Sequence, residues 1–169
     1  NAVHYFVSYY DYYQPEAYLP STDTYIEKDA KINEFLDQLR HAATAAVLTR
    51  RDVIVVASVS AIYGLADPKE YGQMAVHFRT GEAMHRSDLL RSLATLQYHR
   101  NEVEKTPGTF RVKGELVEIY APDGSGVTRI ELFGSTVDRI RVGNVSMTDP
   151  TWTLVPEITL FPAKHFVTA

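Results

Sequence analysis

The chain contains no cysteine, which excludes disulfides and thiolate-based zinc sites. No apolar run reaches the length of a membrane span, and no signal peptide opens the chain. There is no GxxxxGKS or GxxxxGKT loop to cradle phosphates, no DExx-type acidic run after a strand to hold magnesium, and no GxSxG elbow. The histidines (His4, His41, His77, His85, His99 and His165) have no close metal-ligand spacing. His41 is expected to cap or face solvent on a helix. No catalytic residue, metal site or cofactor is therefore expected of these residues, and they are not expected to form an enzyme alone. The formal net charge is −4, whereas a duplex binder that relies on neutralising phosphates is usually basic.

What is present fits a soluble, cytoplasmic globular protein. The 169 residues are 45% hydrophobic with mixed charges, enough for one domain or two small ones. There is no initiator Met, and both ends read as cut from something longer.

Aromatics concentrate at one end. Of eleven tyrosines, Tyr5, Tyr9, Tyr10, Tyr12, Tyr13, Tyr18 and Tyr25 lie within residues 1–29, interrupted by Pro15 and Pro20. Two readings fit this density. A tyrosine-rich strand pair packs on its own domain, since strands favour Tyr. Alternatively the surface grips flat partners such as nucleic-acid bases, each stacked base contributing roughly 1–3 kcal/mol. Asp11, Glu16, Asp23, Glu27 and Asp29 outnumber Lys28 there, so any DNA contact must rest on stacking and insertion.

Pattern along the chain predicts two parts. Residues 3–13 read as extended, Leu19–Asp23 as a turn cluster and Thr24–Glu27 as extended again, which makes a long irregular β-hairpin over about 9–30. Asp29 is a plausible cap for a helix carrying Ile32, Phe35, Leu36, Leu39, Ala43, Ala46 and Val47 at helical spacing. Val53–Ala57 is a β-branched run suited to a strand buried on both faces of a parallel sheet. Ser58, Ser60 and Tyr63 follow its carboxyl end, where open α/β sheets bind ligands, and their hydroxyls suit a phosphate backbone as well as an ordinary cap and loop. From about residue 74 a small antiparallel α+β module is expected. It has a helix capped by Ser87 with Leu89, Leu90, Leu93 and Leu96, then strands Thr109–Lys113, Glu115–Tyr120, Arg129–Phe133, Thr136–Val142 and Glu157–Phe161. Gly114, Asp123-Gly124 and Gly134 supply the turns. Phe161-Pro162 reads as the return to the first domain.

The tyrosine block Tyr9-Tyr10-Asp11-Tyr12-Tyr13-Gln14-Pro15-Glu16-Ala17-Tyr18, with Asp23–Asp29, closely resembles the UvrB family, the damage-verifying subunits of bacterial nucleotide excision repair. The resemblance continues through Arg50–Leu65, Gln97–Asn101, Gly108–Gly114 and Phe161–Thr168, and so spans nearly the whole chain. It implies α/β plus α+β: part of a RecA-like P-loop NTPase motor domain with a long β-hairpin (1–73), a UvrA-binding domain (74–160) and a return to the motor (161–169). ATP and magnesium belong to the complete family protein, and the nucleotide-binding loop and acidic motif are expected outside residues 1–169.

Two roles come with the resemblance. The hairpin would clamp a single strand of damaged DNA. Tyr10 and Tyr13 would stack on or beside the damaged nucleotide, and Tyr9 and Tyr12 would exclude the lesion or hold the strands apart. Tyr18, Tyr25, Lys28 and Asp29 would anchor the hairpin to a motor domain, and Ser58, Ser60 and Tyr63 would line the DNA path. The second domain would dock on UvrA through Arg100, Arg111, Lys113 and Glu131, with UvrC joining the complete complex. Lys113 stands where the family commonly has arginine, and it cannot form a bidentate fork with a carboxylate. From Arg86 to Arg141 nine basic residues face eight acidic ones, a mixture suited to a polar protein interface. The competing class is a protein-interaction module alone, with the tyrosines packing on other motor parts.

Overall fold

The computed structural model describes residues 2–7, 17–19, 24–26, 30–62, 72–144 and 151–164, with only the backbone described at 17–19, 24–26, 30–34, 60 and 62. The chain divides into two compact units, Asn1–Tyr63 and Gly64–Ala169. Among the described residues the elements are of mixed α/β type, with one large strand-rich sheet and two long helices.

In the first unit, β1 (Ala2–Phe6) pairs in parallel with β4 (Val53–Ala57), Ala2 opposite Val53 and Phe6 opposite Ala57. A parallel pair needs a crossover, and the chain between includes α1 (Ala30–Thr49). Burial alternates along β1, with Val3 and Tyr5 exposed. The helix buries Leu36, His41, Ala43 and Ala46 but leaves Phe35 and Val47 exposed. His41 therefore neither caps nor faces solvent: it is 3% exposed, with Asp37 3.7 Å away on the preceding turn. Beside it, the Arg40 Nε donates to the Val7 carbonyl at 3.1 Å. The parallel pairing of Val53–Ala57 is as expected, but its burial on both faces is not. Ile54, Val55 and Val56 are exposed, because β1 is the one strand beside β4 among the described residues. Apolar residues are buried by neighbours, and one strand and one helix supply too few.

The hairpin is present where it is described. β2 (Ala17–Leu19) and β3 (Thr24–Ile26) pair antiparallel, Tyr18 directly opposite Tyr25. Asp29, Lys28 and the tyrosines at 9, 10, 12 and 13 lie outside the described residues.

The second unit is built on a six-stranded sheet in the order β11-β10-β9-β8-β7-β6. Its strands are β6 (His99–Arg100), β7 (Thr109–Lys113), β8 (Leu116–Tyr120), β9 (Val127–Phe133), β10 (Thr136–Gly143) and β11 (Trp152–Val155). Gly114, Gly124 and Gly134 turn its hairpins with φ of 61°, 68° and 61°, a region where a Cβ is strained. The sheet is not wholly antiparallel, as expected from the sequence, because β6 runs parallel to β7. Nor does Glu157–Leu160 (β12) join it: β12 pairs with β5 (Val76–Arg79) in a separate ribbon. The register of β10 shifts between Val137 and Arg139, so Asp138 is an extra residue and both Val137 and Ile140 reach the core.

One sheet face carries the core. Phe110, Val117, Ile119, Ile130, Leu132, Val137 and Ile140 pack with Leu89, Leu93 and Leu96 from α2 (Arg86–Thr95) and its C-cap. Burying each such side chain stabilises by about 1.5–3 kcal/mol. Helix α2 starts one residue before the expected cap. The N-cap is His85, whose carbonyl accepts from the Leu89 N–H at 3.1 Å and whose side chain makes no cap bond, so Ser87 lies inside the helix. The helix ends with Gln97 at φ 65°, the Tyr98 N–H reaching the Leu93 carbonyl and the Gln97 N–H the Ala94 carbonyl, each at 3.0 Å. Phe161 and Pro162, read from sequence as the return to the first domain, are held by this unit. The Tyr98 hydroxyl donates to the Phe161 carbonyl at 3.1 Å, the Ala163 N–H to the Leu96 carbonyl at 2.8 Å, and Pro162 is fully buried.

Candidate functional site

Alternation sends every second residue of the six-stranded sheet away from its core. The register aligns these residues in rows: Arg111, Glu118, Arg129 and Arg141 in one, and Lys113, Leu116, Glu131 and Arg139 in the next. The first row is a charge lattice. Glu118 is 3% exposed, and carboxylates are almost never so buried unless paired. It is clamped from both neighbouring strands, by Arg111 Nε on one oxygen and by Arg129 Nε at 2.7 Å on the other. Burial pushes the Glu118 carboxyl up, but the hydrogen bonds and charges of Arg111 and Arg129 outweigh it and hold it below its ordinary value. The same bond to Glu118 raises Arg111. Burial, then the charge of Glu118, pushes the Tyr120 phenol up.

The lattice extends sideways. The Arg129 guanidinium lies 3.8 Å from the centroid of the Trp152 ring, a cation–π contact. That ring lies over Gly143, where an added Cβ would meet it at 3.0 Å, so the position takes no larger residue without displacing the tryptophan. In the second row Glu131 pairs with Arg141 and lies 4.0 Å from Arg139.

At the β6 edge Arg100 is exposed, and its Nε donates to Glu102 at 2.6 Å. Arg100, Arg111, Lys113 and Glu131 thus belong to one sheet, with Arg111, Lys113 and Glu131 on its outer face. Sequence reasoning missed Glu118, Arg129 and Trp152 as parts of this face. A signal for the first two was available: a turn at Gly114 places Arg111 opposite Glu118, and the next hairpin places Glu118 opposite Arg129.

The strand-end candidates lie in the other unit. Ser58 follows β4, its N–H extending the ladder to the Phe6 carbonyl at 3.1 Å, and its carbonyl accepts from the Ala61 N–H at 2.9 Å. This opens a 3-10 turn, Val59–Ile62, which contains Ser60. Tyr63 lies outside the described residues. Among the described residues no group of His, Asp and Glu could hold a metal ion, and no helix is long and apolar enough to cross a membrane.

Residues 76–166 match the UvrB interaction domain family. The chain is 51% identical to the UvrABC system protein B of Clostridium botulinum (strain Loch Maree / Type A3), over all of its own length and 26% of that protein. It is 54% identical to the UvrABC system protein B of Geobacillus kaustophilus, over 99% of this chain and 26% of the relative. Against that of Enterococcus faecalis the identity is 53%, over 99% of this chain and 25% of the relative. The chain thus spans about a quarter of the length of the curated relatives it matches.

Proposed function

The chain belongs to the UvrB interaction domain family, and we propose that it serves nucleotide excision repair by docking on UvrA through the outer face of its six-stranded sheet. The observation that carries this reading is the ordered charge lattice around Glu118, lying with Lys113 and Glu131 inside the matched region. A buried carboxylate clamped by two arginines fixes side chains that would otherwise fluctuate, and a pre-ordered polar face loses less entropy when a partner binds.

The test must avoid the lattice itself, because Arg111→Glu would set two carboxylates together in a buried place. Arg100 and Lys113 are exposed and suit it better. In the complete protein, Arg100→Glu with Lys113→Glu should weaken UvrA binding by tenfold or more, with thermal stability kept. An unchanged calorimetric titration would count against the docking face.

A second function is supported by the antiparallel pairing of β2 with β3, which makes a hairpin on the carboxyl side of the tyrosine block. On this reading residues 1–73 are part of a RecA-like motor domain, residues 74–160 are the docking domain and residues 161–169 lead back to the motor. The hairpin clamps one strand of damaged DNA. Tyr9, Tyr10, Tyr12 and Tyr13 meet the bases, Tyr18, Tyr25, Lys28 and Asp29 anchor the hairpin, and Ser58, Ser60 and Tyr63 line the strand's path. Stacking accepts any sequence because every base has a π-face, which suits a verifier that discriminates by size and flexibility. ATP and magnesium are assigned to segments outside this chain, whose sequence has no phosphate-cradling loop. Replacing Tyr10 and Tyr13 with Ala in the complete protein should abolish damage-specific loading while UvrA binding persists. Normal loading onto lesion DNA would sink the clamp assignment.

A further inference from the structure

Trp152 and Arg129 meet across a strand that separates them. Trp152 opens β11 and Arg129 lies on β9, with β10 between them. Their backbones are therefore roughly 10 Å apart, two strand spacings. The β10 residue opposite Trp152 is Gly143, which has no side chain to fill the gap. The indole lies over it: a Cβ on Gly143 would meet three ring atoms at 3.0, 3.0 and 3.3 Å. The glycine thus lets the ring cross β10 and reach the Arg129 guanidinium, 3.8 Å from the ring centroid.

That contact joins a chain of side chains running from β11 to β7. Arg129 places its Nε and Nη2 on the same Glu118 oxygen, at 2.7 and 2.6 Å. The other Glu118 oxygen accepts from the Arg111 Nε and lies 3.4 Å from the Tyr120 hydroxyl. Two hydrogen bonds to one oxygen leave a guanidinium a pivot about which to swing. A ring against its flat face stops that motion and is attracted to its charge. Arg111 and Arg129 keep 14% and 26% of their side chains exposed, so the row still meets a partner. Side chains ordered beforehand lose less entropy when that partner binds.

We propose that Trp152 is a positioning residue of the docking face. Its ring holds Arg129, Arg129 holds Glu118 and Glu118 holds Arg111, so the row is set before UvrA arrives. This rests on the docking reading above. Trp152 acts through Arg129 and not through a contact of its own with UvrA.

The experiment is a double-mutant cycle in the complete protein: Trp152→Leu, Arg129→Gln and the two together. Each is titrated calorimetrically with purified UvrA at fixed ionic strength, with thermal unfolding followed in parallel. Trp152→Leu should lower affinity about fivefold, the size of one stacked cation. In the Arg129→Gln background the same change should have no further effect, because the cation that the ring holds is gone. Trp152→Phe keeps an aromatic face over Gly143 and should stay within about twofold of the wild type. A merely structural loss would persist in both backgrounds and would not be rescued by a ring. Should Trp152→Leu fail to fold, Trp152→Met, which fills the seat without a π face, takes its place. Wild-type affinity in Trp152→Leu, or equal losses in both backgrounds, overturns the positioning role and leaves the docking reading standing. Where Arg129→Gln abolishes binding, the Trp152→Phe titration decides: an affinity as low as that of Trp152→Leu overturns the role. Failure of the unsubstituted protein to bind UvrA overturns both readings.

Discussion

The two units invert the usual rule of what is inside. In the first, the run Val53–Ala57 is nearly all β-branched, yet Ile54 and Val56 are about half exposed (55% and 48%). In the second, the charged Glu118 is 3% exposed at the middle of a six-stranded sheet. Residue type alone predicts the reverse. What differs is the number of neighbours: among the described residues β4 has one strand beside it, while β8 has two and receives an arginine from each. Burial is a property of the assembled surroundings, and a charge is tolerated there when its partners come with it.

The largest expected effect tests that contrast directly. Ile130→Ala, at a fully buried site, should destabilise by about 2–5 kcal/mol, whereas Ile54→Ala in the same chain should lose less than about 1 kcal/mol. Denaturant titration of the two variants measures both, and equal losses would break the comparison.

A smaller effect concerns the buried charge. Glu118→Gln keeps the shape but leaves Arg111 and Arg129 facing a neutral amide, and should lower stability by about 2 kcal/mol at neutral pH. The sign of the pH dependence follows from the direction of the shift. Glu118 is held below its ordinary value, so its contribution is fully present above the unfolded pKa of about 4.3 and is lost as pH falls through the lower folded value. The stability gap between the wild type and Glu118→Gln should be constant above about pH 5 and close below about pH 4. A gap that widens in acid would reverse the assignment.

The smallest effect sharpens the local end of the comparison. Gln97 closes α2 at φ 65°, a conformation that suits glycine, so Gln97→Gly should raise stability by about 0.5–1 kcal/mol. A thermal scan showing no gain would mean that the Gln97 side chain offsets the strain.

Much of the fold was legible for a physical reason that these residues display. Gly114, Asp123-Gly124 and Gly134 marked turns, and a tight turn fixes the register of the strands it joins. Strands β7 to β10 could therefore be placed nearly residue by residue, and helices α1 and α2 followed from their apolar spacing. The candidate site was legible in pieces. Arg111, Lys113 and Glu131 were singled out, yet Glu118 was passed over, because a glutamate within an apolar strand reads as one solvated charge until its two partners are placed. Strands β5, β6 and β11 were missed because each is short and no tight turn announces it.

By itself, then, the sequence determined the local grammar: the pairing of Ala17–Leu19 with Thr24–Ile26, helices α1 and α2, the glycine turns and the kinship that the resemblance marks. Tertiary structure alone decided that β6 runs parallel to β7, that β12 pairs with β5, that Val53–Ala57 has β1 as its one strand neighbour among the described residues and that Glu118 is buried between two arginines. These features depend on which distant segments meet. Nothing local encodes such meetings, because the free energy that selects them is gained when the whole sheet closes over its core.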